Sequence, residues 1–467
     1  MISMSNELIN NSKPAWPGKV NKMHKARHFF LILALFVFLL ALAACGGETA
    51  PEEPAGETPA ESEPVAGATA TLPPPVIVSG EGQAQPGSAE GQPDEEAPAE
   101  PAAEEPPAKQ ATFPWPADAF GYGVQSHAVV GDPRYAMDVI SGQLGLDWVK
   151  VQLEWPLVQP DPETYQWFFY DGVVDEAHNH GLNLMLSVVG APGWTRAAGG
   201  ENGPPDDYAL YANFLTELLN RYDGKVHAIE VWNEQNLDRE WATPQGLSPA
   251  SYVQFLSQAN QAIKAHDPNI IVISGALAPT GIHDGVTSYD DFLYLDEALA
   301  AGLLDHADCV GAHHNGYNIG PNVPFDAAGA EAEAATAIFR GPFDNPHHSW
   351  SFKTTLDTYA QKVQAIDPNK KLCVTEFGWA SSEGYDQYPA GFEFAQDNTL
   401  EEQAQFIVQA FQQMHDSGYV WLAFLFNYDF GNKGNGPTDD PVPYSIIDVN
   451  GAPRPAFSAL AEMPKPQ

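Results

Sequence analysis

The chain has 467 residues, 44% of them hydrophobic, with a formal net charge of −40 and a sequence pI of about 4.4. So large an anionic excess repels phosphate backbones and anionic headgroups, which argues against nucleic-acid binding and electrostatic membrane docking but leaves neutral ligands open. Three cysteines are too few for a disulfide framework.

Residues 1–45 have the layout of an export signal. Lys19, Lys22, Lys25 and Arg27 precede an uninterrupted apolar run over 29–44, which is short against the about 20 residues of a permanent span. The run ends in LAAC at 42–45. Small residues before a cysteine resemble a bacterial lipobox, which implies cleavage before Cys45, a lipid on its side chain and tethering at the bacterial cell surface. An uncleaved anchor helix is the alternative, and either arrangement leaves the C-terminal part outside. Met23 begins a more ordinary signal, MHKARHFFLILALFVF, and is a second candidate start. Residues 46–112 are dominated by Pro, Ala, Glu and Gly and carry no aromatic residue. Such a segment cannot bury enough apolar surface to offset its ordering entropy, so it is expected to be a disordered, extended linker.

From 113 to 467 the composition becomes globular. Eight short apolar or alternating runs recur: FGYGVQSH (120–127), DWVKVQLEW (147–155), LNLMLSVVG (182–190), HAIEVWNE (227–234), NIIVISGA (269–276), DCVGAHHNGY (308–317), KLCVTEFGW (371–379) and WLAFLFNYDF (421–430). Between them lie segments such as DYALYANFLTELLNRY, whose apolar residues recur at helical spacing. Strands alternating with helices predict a parallel sheet, and eight such units predict a (β/α)8 TIM barrel. A doubly wound open sheet is the alternative.

Active sites of such barrels sit where the strands end. Polar residues gather at those ends here: Gln125, His127, Glu154, Asn233, Glu234, His313, His314, Glu376, Asn427 and Tyr428, with Trp194 beyond the third strand. Glu234 closes the fourth strand and Glu376 the seventh. Two carboxyl groups about 5 Å apart are what a retaining glycosidase needs, one to attack the anomeric carbon and one to protonate the leaving oxygen.

The motifs WNE and TEFGW, in this order and at these strand ends, resemble the retaining glycoside hydrolases of clan A, nearest to glycoside hydrolase family 39 and then family 5. The resemblance covers about 120–461. It implies that Glu234 is the acid/base, Glu376 the nucleophile, and Asn233 a ligand of the sugar 2-hydroxyl. It also implies sugar contacts for His313, Tyr317 and Trp194, and for Tyr428 or Phe426 in place of a strand-eight tryptophan. Lys150 stands where relatives carry an arginine near the nucleophile, which implies a place for it among the substrate-binding residues. Lysine lacks the bidentate fork of arginine. Glu230 matches a structural acid that needs a partner, with Lys150 the candidate. Trp232 is expected to pack rather than to touch sugar. No cofactor is implied, and the expected partner is carbohydrate.

Other signals are weaker. Adjacent histidines on a strand point to opposite faces, so neither His313–His314 nor His347–His348 is expected to hold a metal. Cys309 and Cys373 fall on neighbouring expected strands, with buried free thiols the default and a disulfide the alternative. DFGNKGNGPTDD is an acidic loop without the EF-hand spacing. Long segments at 318–358 and 380–399 are expected to lie over the cleft. A carbohydrate-binding protein without activity and a transglycosylase using the same residues remain the rival functions.

Overall fold

The structure is a computed structural model that describes residues 111–198 and 202–466. The expected export signal, Cys45 and nearly all of the linker lie outside the described residues.

Eight parallel strands are present: β1 Gly121–Gln125, β2 Trp148–Glu154, β3 Asn183–Val189, β4 Ala228–Val231, β5 Ile271–Ser274, β6 Val310–Gly316, β7 Leu372–Trp379 and β8 Val420–Leu425. Each falls within one of the eight runs or, for β8, overlaps it shifted by one residue. Their order is β5-β4-β3-β2-β1-β8-β7-β6, with β1 paired to both β2 and β8. The remaining seam, β5 against β6, closes through the isolated parallel bridges Ile273–Cys309 and Leu277–Ala312. Eight strands in a nearly closed ring give the TIM-barrel architecture and exclude the open doubly wound sheet. Gly311 permits this closure, because a Cβ there would lie 2.0 Å from the Ser274 carbonyl oxygen.

A main helix follows each strand: α1 Pro133–Asp138, α2 Phe168–Asn179, α3 Tyr208–Arg221, α4 Pro249–His266, α5 Asp291–Ala300, α6 Phe352–Gln364, α7 Leu400–Ser417 and α8 Pro455–Glu462, with short helical turns at Trp155–Val158 and Gly341–Asp344 in addition. Their starts are written locally. Ser248 caps α4 ahead of Pro249, and Thr399 with Glu402 forms a capping box on α7. The buried positions of α3, Tyr211, Phe214, Leu215, Leu218 and Leu219, follow the three- and four-residue spacing that defines its inner face. Among the described residues no helix is long and apolar enough to cross a membrane.

The barrel interior is filled at its lower end by Trp148, Met185, Ile271, Ile273, Leu422 and Phe424. Phe113 and Trp115 cover this plug from below. Phe113 sits edge-on to Trp421 at 5.4 Å, and the Trp421 indole N–H donates to the Pro116 carbonyl at 2.9 Å. The entry segment therefore seals the bottom and leaves the opposite, C-terminal end of the strands open.

The free-thiol default for Cys309 and Cys373 is corrected. The two form a disulfide across β6 and β7, with Cα atoms 5.8 Å apart and a sequence separation of 64. Direct pairing of Val310 and Gly311 with Leu372 and Cys373 brings the thiols within bonding reach. Closing a loop of that length restrains the unfolded chain, so substituting both cysteines by serine is expected to lower unfolding stability by roughly 2–4 kcal/mol. Denaturant titrations of the two proteins at pH 7 measure this, and an unchanged midpoint would contradict it.

Candidate active site

The open rim is built from strand ends, and β4 supplies its most unusual backbone. The strand stops at Val231, three residues short of the expected Glu234. Trp232 (φ 77°) and Glu234 (φ 44°) both adopt positive φ, a region that side-chain-bearing residues avoid. The turn is held from the neighbouring segment after β5. The Glu234 N–H donates to the Ala276 carbonyl at 2.9 Å, the Gln235 amide to Gly275 at 2.8 Å, and the Asn236 amide to Ala278 at 2.8 Å. Trp232 turns outward and packs, edge-on to Trp241 at 5.6 Å, with its N–H donated to the Glu240 carbonyl at 2.9 Å. The turn thus separates an anchoring indole from a carboxyl that faces the opening.

Beneath the opening lies a charged floor. Lys150 on β2 is fully buried, and its ammonium donates to Glu376 Oε1 at 2.9 Å and stands 3.3 Å from Glu230 Oε2. Glu230 on β4 also accepts from the Thr375 hydroxyl at 2.6 Å. His313 on β6 joins the two halves, with Nε2 3.8 Å from Glu230 Oε1 and Nδ1 3.2 Å from Glu234 Oε1. Arg239 reaches over from the loop after β4 and donates to Glu234 Oε2 at 2.7 Å. Glu234 and Glu376 are thereby tied into one network, Glu376 through Lys150 and Glu230, Glu234 through His313.

The electrostatics follow from these contacts. Burial works against the Lys150 ammonium, but Glu230 and Glu376 outweigh it and raise its pKa, so it stays charged. Burial likewise opposes a charged His313, and the nearby Glu376 and Glu234 carboxylates reverse that and raise it. Burial alone would push Glu234 up, yet the hydrogen bond and charge of His313, with Arg239, hold it down at about 2. Glu240 goes the other way. Burial, helped by the charge of Glu234, lifts it to about 8.

The structure brings most of the expected residues together. Glu234, His313 and Tyr317 line a cavity of about 330 Å³ with Asn315, Phe392 and Tyr444. The amide oxygens of Asn233 and Asn315 are buried without a hydrogen-bond partner. Three placements differ from expectation. Lys150 lies beneath the floor, sealed from the opening, so it contacts carboxylates rather than substrate. Trp194 leans edge-on against Trp155 at 6.3 Å and gives its N–H to the Gln159 carbonyl at 3.2 Å, away from this cavity. Tyr428 is buried in the main core, whereas Phe426 packs with Tyr317, Phe392 and Tyr444. His314 alternates to the far side of β6, edge-on to Phe352 at 5.7 Å. Arg239, Glu240 and Tyr444 are the residues that sequence reasoning missed. They sit in loops, where no periodicity marks a direction. The acidic 429–440 loop is stapled internally, Lys433 to Asp429 and Asp439 to the Asn435 N–H at 2.6 Å.

Neither a family model nor a curated protein sequence matches the chain. Solved structures do. A family 39 glycoside hydrolase from the gut symbiont Bacteroides cellulosilyticus WH2 superposes with a TM-score of 0.51 at 18% identity, over 74% of this chain; the chain spans 63% of that protein's length. A GH5_18 protein from Streptomyces cattleya, solved with Manβ1-4GlcNAc, gives 0.51 at 16% identity, over 75% of this chain and 83% of the other. The β-glycosidase BGL167 gives 0.50 at 14%, over 76% of this chain and all (100%) of the other. At such identities the likeness carries the fold. The neighbours are clan A glycoside hydrolases, with family 39 first among them, the group that the strand-end motifs resemble.

The raised Glu240 carboxyl gives a pH prediction. Its folded pKa of about 8 exceeds its ordinary 4.5. The folded state therefore holds the proton more tightly, and stability is lost as pH rises through that interval. Glu240→Gln is expected to raise the unfolding temperature at pH 8 but not at pH 4.5, read by thermal melts at both; an equal shift at both would refute it.

Proposed function

We propose that this chain is a retaining O-glycoside hydrolase that cleaves an oligo- or polysaccharide by double displacement, with Glu376 as nucleophile and Glu234 as acid/base. The observation that carries the reading is that the carboxyls following β4 and on β7 share one ion-pair network, Glu376 through Lys150 and Glu234, which lines the cavity, through His313. Glu376, 8% exposed, has a buried ammonium at 2.9 Å as counter-charge. In the first step its oxygen attacks the anomeric carbon while Glu234 delivers a proton to the departing oxygen; in the second Glu234 takes a proton from water, which displaces Glu376. Asn233 and Asn315 offer acceptors to sugar hydroxyls, and the aromatic side of the cavity offers flat surfaces to sugar C–H faces. The net charge favours a neutral glycan over an anionic one.

An acid must carry a proton, and His313 on Oε1 opposes that first, with Arg239 on Oε2 adding to it. The Arg239 side chain is 64% exposed, and an ion pair of that kind is worth little, so substrate can displace it. Export and a lipid anchor on Cys45 belong to the same proposal, supported by the lipobox-like LAAC and by a disulfide suited to an oxidising compartment.

A panel of aryl glycosides tests the function. Wild type is expected to turn over at least one sugar, Glu376→Gln to show none, and Glu234→Gln to lose about 10²–10⁴-fold. Sugar binding without turnover by wild type across the panel would instead make the protein a carbohydrate binder, and product analysis with acceptor sugars separates hydrolysis from transglycosylation. Removing the guanidinium should raise the pKa of Glu234. Arg239→Met is therefore expected to move the alkaline limb of the kcat/KM profile to higher pH, and a profile displaced downward would refute the assignment of Glu234 as the acid.

A further inference from the structure

We propose that Asp290, His347 and His348 form a binding site for a divalent transition-metal ion of the zinc class, on the wall beside the catalytic cavity. One ligand atom from each lies within 4.8 Å of the other two, the one such group of three among the described residues. Strand alternation argued against adjacent histidines, and it holds for His313 and His314. It does not apply here, because His347 is extended while His348 enters a 3-10 turn. The two rings lie 4.1 Å apart, tilted by 40°.

The surrounding hydrogen bonds orient the donors. His348 Nε2 is 3.0 Å from Asp291 Oδ1. Asp291 is fully buried and also receives the Thr280 N–H at 3.0 Å and the Tyr359 hydroxyl at 2.7 Å. A carboxylate on one ring nitrogen fixes the tautomer and leaves Nδ1 as the lone-pair donor, the arrangement that metal-ligating histidines use. His347 Nδ1 is occupied by Ser349, whose hydroxyl is 2.9 Å away, which leaves Nε2. Asp290 caps α5 through Oδ1, at 3.0 Å from the Leu293 N–H, which leaves Oδ2. Two imidazoles and one carboxylate suit zinc, and three protein ligands leave a fourth position open. Ligands about 2.0–2.2 Å from one ion lie about 3.3 Å from each other. Binding therefore draws the three side chains inward by rotation about their own bonds.

The location gives the site a consequence. Asp290 belongs to the loop after β5, and His347 and His348 to the long loop after β6. Those loops flank a cavity of about 760 Å³ lined by Thr280, His347 and Trp350. It shares Pro279, Thr280, Tyr317 and Ser349 with the catalytic cavity. One ion would tie the two loops together and set the wall along which a longer ligand extends. The site stands on its own residues and does not depend on the hydrolase reading.

Zinc titration of the untagged, metal-stripped protein tests this, with a chromogenic chelator as competitor and thermal unfolding as second readout. The expected result is one equivalent of zinc bound and a melting temperature that rises with free zinc. His347→Ala and Asp290→Asn should each weaken zinc affinity at least tenfold; asparagine preserves the helix cap, so a folding defect does not confound the second variant. No binding at millimolar zinc, or one equivalent bound equally well by both variants, would overturn the proposal.

Discussion

The buried ammonium of Lys150 is the constraint from which the rim takes its shape. A cation without solvent must find anions at contact distance or lose its charge. Lys150 finds two, Glu376 from β7 and Glu230 from β4. Three strands of the barrel are thereby locked side chain to side chain at the height where the cavity begins. Each carboxylate needs further donors. Thr375 satisfies one oxygen of Glu230, and His313 extends the chain of contacts to Glu234. In so dry a layer each contact depends on the others, because removing one partner strands a buried charge.

Much of this was legible in the sequence because it follows rules of period and position. Eight runs gave eight strands, and the sealed lower end explains why Trp421, at the start of β8, cannot serve the rim. Glu230 needed a partner and Lys150 was the cation at hand. What failed lay past the last regular residue of a strand. Alternation no longer predicts direction where the chain turns: β4 ends in two residues of positive φ, and beyond Leu425 the Tyr428 N–H bonds back to Gln125. Tyr428 therefore points into the core and Phe426 takes the cavity side. Arg239 and Tyr444 come from loops whose paths are set by tertiary contacts, and the disulfide required knowing the register of β6 on β7.

The walls above the floor differ in kind from it. Tyr317 meets Trp350 edge-on at 4.7 Å and Phe394 at 4.9 Å, while Phe392 approaches Tyr444 at 6.0 Å. Tyr317, Trp350, Phe392 and Phe394 come from the two long segments after β6 and β7 and Tyr444 from the segment after β8, and they give the polar floor flat apolar surface on one side. For the sugar ligand proposed above, C–H faces would meet these aromatics and a hydroxyl the unpartnered amide oxygen of Asn315, which lines the cavity.

The counter-charges of the two carboxyls differ in one respect that bears on their proposed roles. Glu376 is paired with a lysine that has no exposure and nowhere else to go. Glu234 is paired on Oε2 with an arginine that stands largely in solvent. A nucleophile has to be an anion at every turnover, so a permanent partner suits it. An acid/base has to pass through both protonation states within one cycle, and a permanent cation at both oxygens would forbid the protonated one. In the roles proposed above, displacement of the exposed Arg239 by a sugar oxygen would remove one of the two groups that hold the Glu234 carboxyl down, and His313 would remain on the other oxygen.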